Sequence, residues 1–297
     1  GVQTCALPIL IFIALLITLS AAADYNTLTK VSNEATNKVN AARLFSDMKI
    51  KQSIEDIKQE KKKEQIALKM TAATLRRETN VAIQTYLKDL KDTNNATNTT
   101  LVVEIPNKVR ETERKLLDEM TKLRLQFEDN VKNTTEGIKR ARKANEIEHQ
   151  VAVVGIKSIG ENLAKQLKAN TNKTVPSFDV LYNSSSAGLK NITDLFVSSS
   201  KERLTVIKKS VEFIQTAQTK VMESFNNLYI LFKKALSEEL YVQKPATLSP
   251  AQQAKAKKEL SKDAKSQNKK LKQVKKEAKK LQKSLNKVAK NPATTKK

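Results

Sequence analysis

The sequence predicts an all-α protein, an elongated bundle of three long antiparallel, coiled-coil-like helices followed by a basic amphipathic C-terminal helix. Three observations carry that expectation. Glycine is scarce at five residues in 297, tryptophan is absent, and Ala, Leu, Lys, Glu and Gln abound, a balance that suits helices better than sheets. Apolar residues recur at threes and fours, the helical period, through three long stretches. Short breaks at 92–106, 170–178 and 243–253, each bearing a proline, separate those stretches and suit antiparallel neighbours.

The first element is the apolar opening. Residues 1–9, GVQTCALPI, match the in-frame translation of a short-read sequencing adapter, so the only cysteine, Cys5, is not expected in the natural protein. From Leu10 the run LIFIALLITLS is followed by AAA, with Ala21 and Ala23 placed for cleavage before Asp24. A secretory signal has an apolar core of roughly 7–15 residues and a small-x-small cleavage site. A spanning helix needs about 20 apolar residues, more than the alanine-rich stretch 7–23 supplies. Residues 10–23 therefore read as a truncated signal peptide and the protein as secreted and extracellular. Without Cys5 it would be held by packing alone, with no disulfide.

Residues 24–244 read as the bundle, with helices at about 26–92, 104–170 and 189–243. In the first, Leu28, Val31, Ala35, Val39, Ala42 and Phe45 make one stripe, resumed by Leu68, Ala72, Leu75, Ile83 and Leu90. Between them KQEKKKEQ, residues 58–65, has no apolar residue over two turns and reads as a solvated charged layer. In the second, Val109, Leu116 and Leu123 are seven apart, as are Met120, Phe127, Thr134 and Ala141. The third carries Ile192, Leu195, Ser199, Ile207, Val211, Ile214, Val221, Phe225, Leu228 and Phe232. NSSSAG at 183–188 is poor helix material, so 175–188 reads as loop with a short helix and the third long helix starts near Leu189. A straight helix of this length reaches roughly 100 Å and cannot bury its stripe alone.

Residues 245–297 form the last element. Ser249, Pro250 and Gln252 read as N-cap, N1 and N3 of a capping box. Leu260, Gln267, Val274, Leu281 and Val288 are seven apart and interleave with Ala264, Leu271, Ala278 and Leu285, a 4-3 seam. Lysine covers nearly everything else. The chain's formal charge is +24, and residues 251–297 hold seventeen lysines against Glu259, Asp263 and Glu277. Such a balance predicts attraction to sulfated glycans, nucleic acid or anionic surfaces. The candidate polyanion-binding residues are Lys255, Lys257, Lys258, Lys262, Lys265, Lys269, Lys270, Lys272, Lys275, Lys276, Lys279, Lys280, Lys283, Lys287 and Lys290. The tail has no arginine to fork onto guanine and no aromatic to stack, so sequence-specific nucleic-acid recognition is not expected.

Catalysis is not expected either. With His149 alone and no natural cysteine, His-based triads and Cys–His pairs cannot be assembled. EIEH at 146–149 matches the Glu-x-x-His of di-iron bundles, but those sites need two such motifs, so His149 reads as an exposed surface histidine. No phosphate loop is spelled by the glycines, and no metal, cofactor or small-molecule substrate is expected. Six sequons, at Asn95, Asn98, Asn133, Asn172, Asn183 and Asn191, are candidate glycosylation sites, five of them in or beside the breaks. Two other readings fit the same pattern. One is an amphipathic, lipid-associating secreted protein; the other is a structural coiled-coil component of a matrix or gland secretion, a homo-oligomer through its long helices.

Overall fold

The computed structural model describes residues 6–93, 97–169, 178–241, 276–287 and 289, with the side chains of 6–26, 28, 167–169, 178 and 241 outside the description. The described chain is an all-helical bundle with no strand among the described residues. Helix α1 runs Ala6–Asp92, α2 Ile105–Ala169 and α3 Phe178–Tyr241. A shorter helix, α4, spans 276–287. Among the residues whose side chains are described, no helix is long and apolar enough to cross a membrane. The proposed cap at Ser249–Gln252 and the seam before Lys276 lie outside the described residues.

The chain divides into two compact units. The first gathers 1–51, 139–206 and 286–297; the second gathers 52–138 and 207–285. In the first unit residue numbers rise on α1 as they fall on α2, through Asn40–His149, Arg43–Glu146 and Asp47–Arg142. That register is antiparallel. Ala35, Val39, Ala152, Ile156, Leu189 and Phe196 form its core. The core of the second includes Ile83, Tyr86, Leu90, Ile105, Val109 and Leu240. The seven-spaced set Met120, Phe127 and Thr134 is buried there, and Ala141 is buried in the first unit. On α3, Ile207, Val211, Ile214, Val221, Phe225 and Phe232 all face inward.

Four departures from the sequence reading have physical causes. The α1 stripe passes through Ser46, fully buried, and leaves Phe45 53% exposed with Lys49 Nζ 5.7 Å from its ring. After the steps 35, 39 and 42, a 3.6-residue period calls for a step of four to 46. Geometry overrides hydrophobicity at that turn. Leu195 on α3 is likewise exposed while Phe196 is buried. The charged window is not a solvated layer, because Ile57 hands the stripe to Glu60 and Glu64, both buried. Third, α3 begins at Phe178 and runs through NSSSAG without a break. Gly188 lies under Ile159, whose Cδ1 would stand 3.1 Å from a Cβ placed there, so packing outweighs weak propensity. The fourth is His149, which is buried, bonded through Nε2 to Asn40 Oδ1 at 2.8 Å and set edge-on to Phe196.

The first break is also narrower than the Asn/Thr composition suggests. Thr100–Glu104 form a π-helical turn leading directly into α2. Pro106 lacks an N–H, and its ring would collide with the carbonyl of Val102 in an α-helical continuation. The wider i→i+5 turn relieves that collision, with the Ile105 N–H donating to the Thr100 carbonyl. Asn98 Oδ1 accepts from the N–H groups of Thr100 and Leu101 at 3.1 and 3.3 Å, satisfying two orphan donors.

Candidate polyanion-binding helix

Helix α4 is amphipathic as built. Ala278, Leu281 and Gln282 are half-buried and Leu285 is fully buried, one face recurring at threes and fours. The other face carries Lys276, Lys279, Lys280, Lys283 and Lys287, all exposed. None of the five forms an ion pair with a described residue. On the long helices Lys58–Glu55, Lys63–Glu60, Lys115–Glu111 and Lys122–Glu119 pair along one helix. The only acid on α4, Glu277, sits on the half-buried side. The five lysines span three turns, so their charge forms a stripe of about 16 Å.

What holds α4 in place is a notch. Leu285 packs onto Gly137 of α2 so closely that a Cβ on Gly137 would lie 3.0 Å from Leu285 Cδ1 and 3.1 Å from Leu285 Cβ. Only glycine leaves that space without displacing the leucine. One residue further, Asn286 Oδ1 accepts from Arg140 Nη2 at 3.1 Å, fixing the helix's rotation by a charge-assisted bond. The lysine face is therefore turned outward by its opposite face.

Of the fifteen lysines the sequence nominates, these five are described; Lys255, Lys257, Lys258, Lys262, Lys265, Lys269, Lys270, Lys272, Lys275 and Lys290 lie outside the described residues. Among the sequons, Asn98, Asn133, Asn183 and Asn191 are exposed, and Asn95 and Asn172 lie outside the described residues. Asn183 and Asn191 stand on α3 rather than in a break. The notch itself was not foreseen. A lone glycine within a helical pattern signals close packing, and Gly137 carries that signal in the sequence.

Beside the notch is a cleft of about 290 Å³. Leu123 and Phe127 of α2 and Ala217 and Val221 of α3 give it an apolar floor, and Ala278, Lys279 and Gln282 of α4 wall one side. Asp129, Asn130 and Asn133 stand on its α2 wall.

Buried ionic groups occur in both units. In the first unit Arg203 donates to Glu148 and, at 3.2 Å, to Asn145 Oδ1, while Ser199 donates to the second Glu148 oxygen at 2.8 Å. In the second unit Glu64 is fully buried and neither of its carboxylate oxygens has a hydrogen-bond partner. Burial, reinforced by the neighbouring Glu128 carboxylate, pushes its carboxyl up to about 7. Burial likewise draws His149 below its usual range, with the Arg43 guanidinium adding to the effect. Among the described residues no group of three or more His, Cys, Asp or Glu side chains is placed to hold a metal ion. No known family model and no curated protein matches this chain.

Proposed function

We propose that the chain is a secreted, non-catalytic binding protein whose Lys-rich C-terminal helix grips polyanions electrostatically: sulfated glycans, nucleic acid or anionic surfaces. The observation that supports this reading is the lysine face of α4, without an ion pair among the described residues and held outward by the Leu285–Gly137 contact. A point-charge ammonium on a flexible stem attracts sulfate or phosphate without imposing a geometry. Binding of this kind is blind to sequence and steeply salt-dependent, because each neutralised phosphate releases condensed counterions. The test is salt elution from immobilised heparin, comparing the chain from Asp24 with one stopped at Pro250. The proposal expects elution of the longer chain at clearly higher salt. Co-elution at low salt would overturn it.

A lipid-associating role finds support in one other feature. Ile147, Val151 and Val154 share an outer face of α2 at i, i+4 and i+7 and stay 43%, 54% and 67% exposed. Shallow insertion of such a stripe would appear as tryptophan-free, leakage-free binding to neutral vesicles. Its absence would leave the electrostatic reading alone.

A further inference from the structure

The cleft beside α4 is walled by a sequon. Asn133, followed by Thr134 and Thr135, is exposed at the α2 wall, one turn before Gly137, and faces Ala278, Lys279 and Gln282 across the opening. Ligand pockets usually exceed about 300 Å³, so a cleft of 290 Å³ suits one small ring rather than an extended ligand. Its chemistry is that of a sugar seat. Ala278 and the methylene stems of Gln126 and Lys279 offer apolar surface above the buried floor to the C–H face of a pyranose, while Asn130, Gln282 and Lys279 offer amide and ammonium groups to hydroxyl and acetamide oxygens.

We infer that Asn133 carries an N-linked glycan whose first N-acetylhexosamine sits in this cleft and clamps α4 onto α2. This rests on the proposed secretion and regulates the same lysine helix. In the modification, Asn133 Nδ2 bonds to the anomeric carbon of an oligosaccharide held on a lipid pyrophosphate. That nitrogen loses a proton and the lipid pyrophosphate departs with the electrons of the broken C–O bond. The sequon is used before folding, so the half-buried position of Thr135 is no obstacle. Once folded, the sugar adds a second attachment for α4 beside the Leu285 notch, and the lysine face is held in its outward setting.

The test uses the full chain exported by a glycosylating host behind a host signal, with Asn133→Gln and Thr135→Ala as two independent losses of the sequon. Peptide mass mapping reads occupancy, and amide hydrogen exchange reads residues 276–287. The expected result is an occupied Asn133 and exchange in α4 about tenfold slower than in either variant. Trimming the glycan to its first sugar should preserve that protection. An unoccupied Asn133, or α4 exchange equal to or faster than in the variants, would overturn the inference. Heparin elution of the same proteins separates the two readings: failure of all of them to bind would remove the polyanion function and leave the clamp standing.

Discussion

In the first unit Arg203 and Glu148 are buried together, with Arg203 also donating to Asn145 Oδ1 and Ser199 donating to the second Glu148 oxygen. In the second, Glu64 is buried beside Glu128, and Glu128 takes the local cations: Lys61 lies 3.6 Å and Arg124 3.9 Å from its oxygens, and Gln65 donates to it at 3.4 Å. Glu64 is left with none. The same sequence device, a charge on the inward stripe of a long helix, thus has two outcomes. Where a partner of opposite sign shares the layer, the pair fixes which turns of α2 and α3 face each other. Where no such partner bonds it, burial raises the carboxyl to about 7.

The largest effect should come from breaking the paired layer. Arg203→Met leaves Glu148 buried and unpaired, and urea unfolding should show a loss of roughly 3–5 kcal/mol. Arg203→Met combined with Glu148→Leu should recover most of it, since both charges then leave the core. Failure of the double variant to recover would mean that the layer is stabilising in its own right.

Glu64→Gln should act in the opposite direction, and only above a defined pH. The folded-state pKa of Glu64 is raised, so folding binds its proton: stability is intact below about 4.5, declines as pH rises to about 7, and is level beyond that. The variant should therefore match the parent in acid and exceed it at pH 8 by on the order of 2 kcal/mol. Equal pH dependence of the two proteins would show that Glu64 finds a cation or water in solution.

The notch gives a more local effect. Gly137→Ala should leave global unfolding nearly unchanged while speeding exchange in α4, because the added methyl meets Leu285 at 3.0 Å. The smallest effect sharpens the register of α1: Phe45→Ser should change stability by less than about 0.5 kcal/mol, as exposed positions do. A loss of 3 kcal/mol or more, the range expected for an aromatic truncated in a core, would return Phe45 to the inward stripe.

How much of this could be read from sequence depends on where the period and the chemistry agree. On α2 they agree, and Val109, Met120, Phe127 and Ala141 were legible as inward positions from spacing alone. On α1 they part at Ala42, where Phe at +3 attracts a hydrophobicity reading and Ser at +4 satisfies the helical period. Glu60 and Glu64 hid the stripe for the same reason, since a charged composition conceals an inward position whose burial is imposed by the layers on either side. Gly188 and the serines before it were misread as a turn because tertiary contact to Ile159 cannot be seen locally. His149 was misread because its partners, Asn40 and Phe196, are distant in sequence. The lysines of α4 are legible by composition; that Gly137 seats their helix depends on a contact with Leu285, distant in sequence.

The buried Arg203 and Glu148 are paired and burial raises the Glu64 carboxyl, whereas the exposed lysines of α4 form no ion pair with a described residue and share one face, and that contrast is what makes the helix a candidate binding surface. It is tested most directly by the salt dependence of binding to a mixed-sequence DNA duplex. The full chain would be compared with a variant carrying Gln at positions 276, 279, 280, 283 and 287. The plot of log affinity against log salt should lose slope by up to about 4.5, near 0.9 for each released phosphate contact. Circular dichroism should be unchanged. An unchanged slope would contradict a binding role for the α4 lysines.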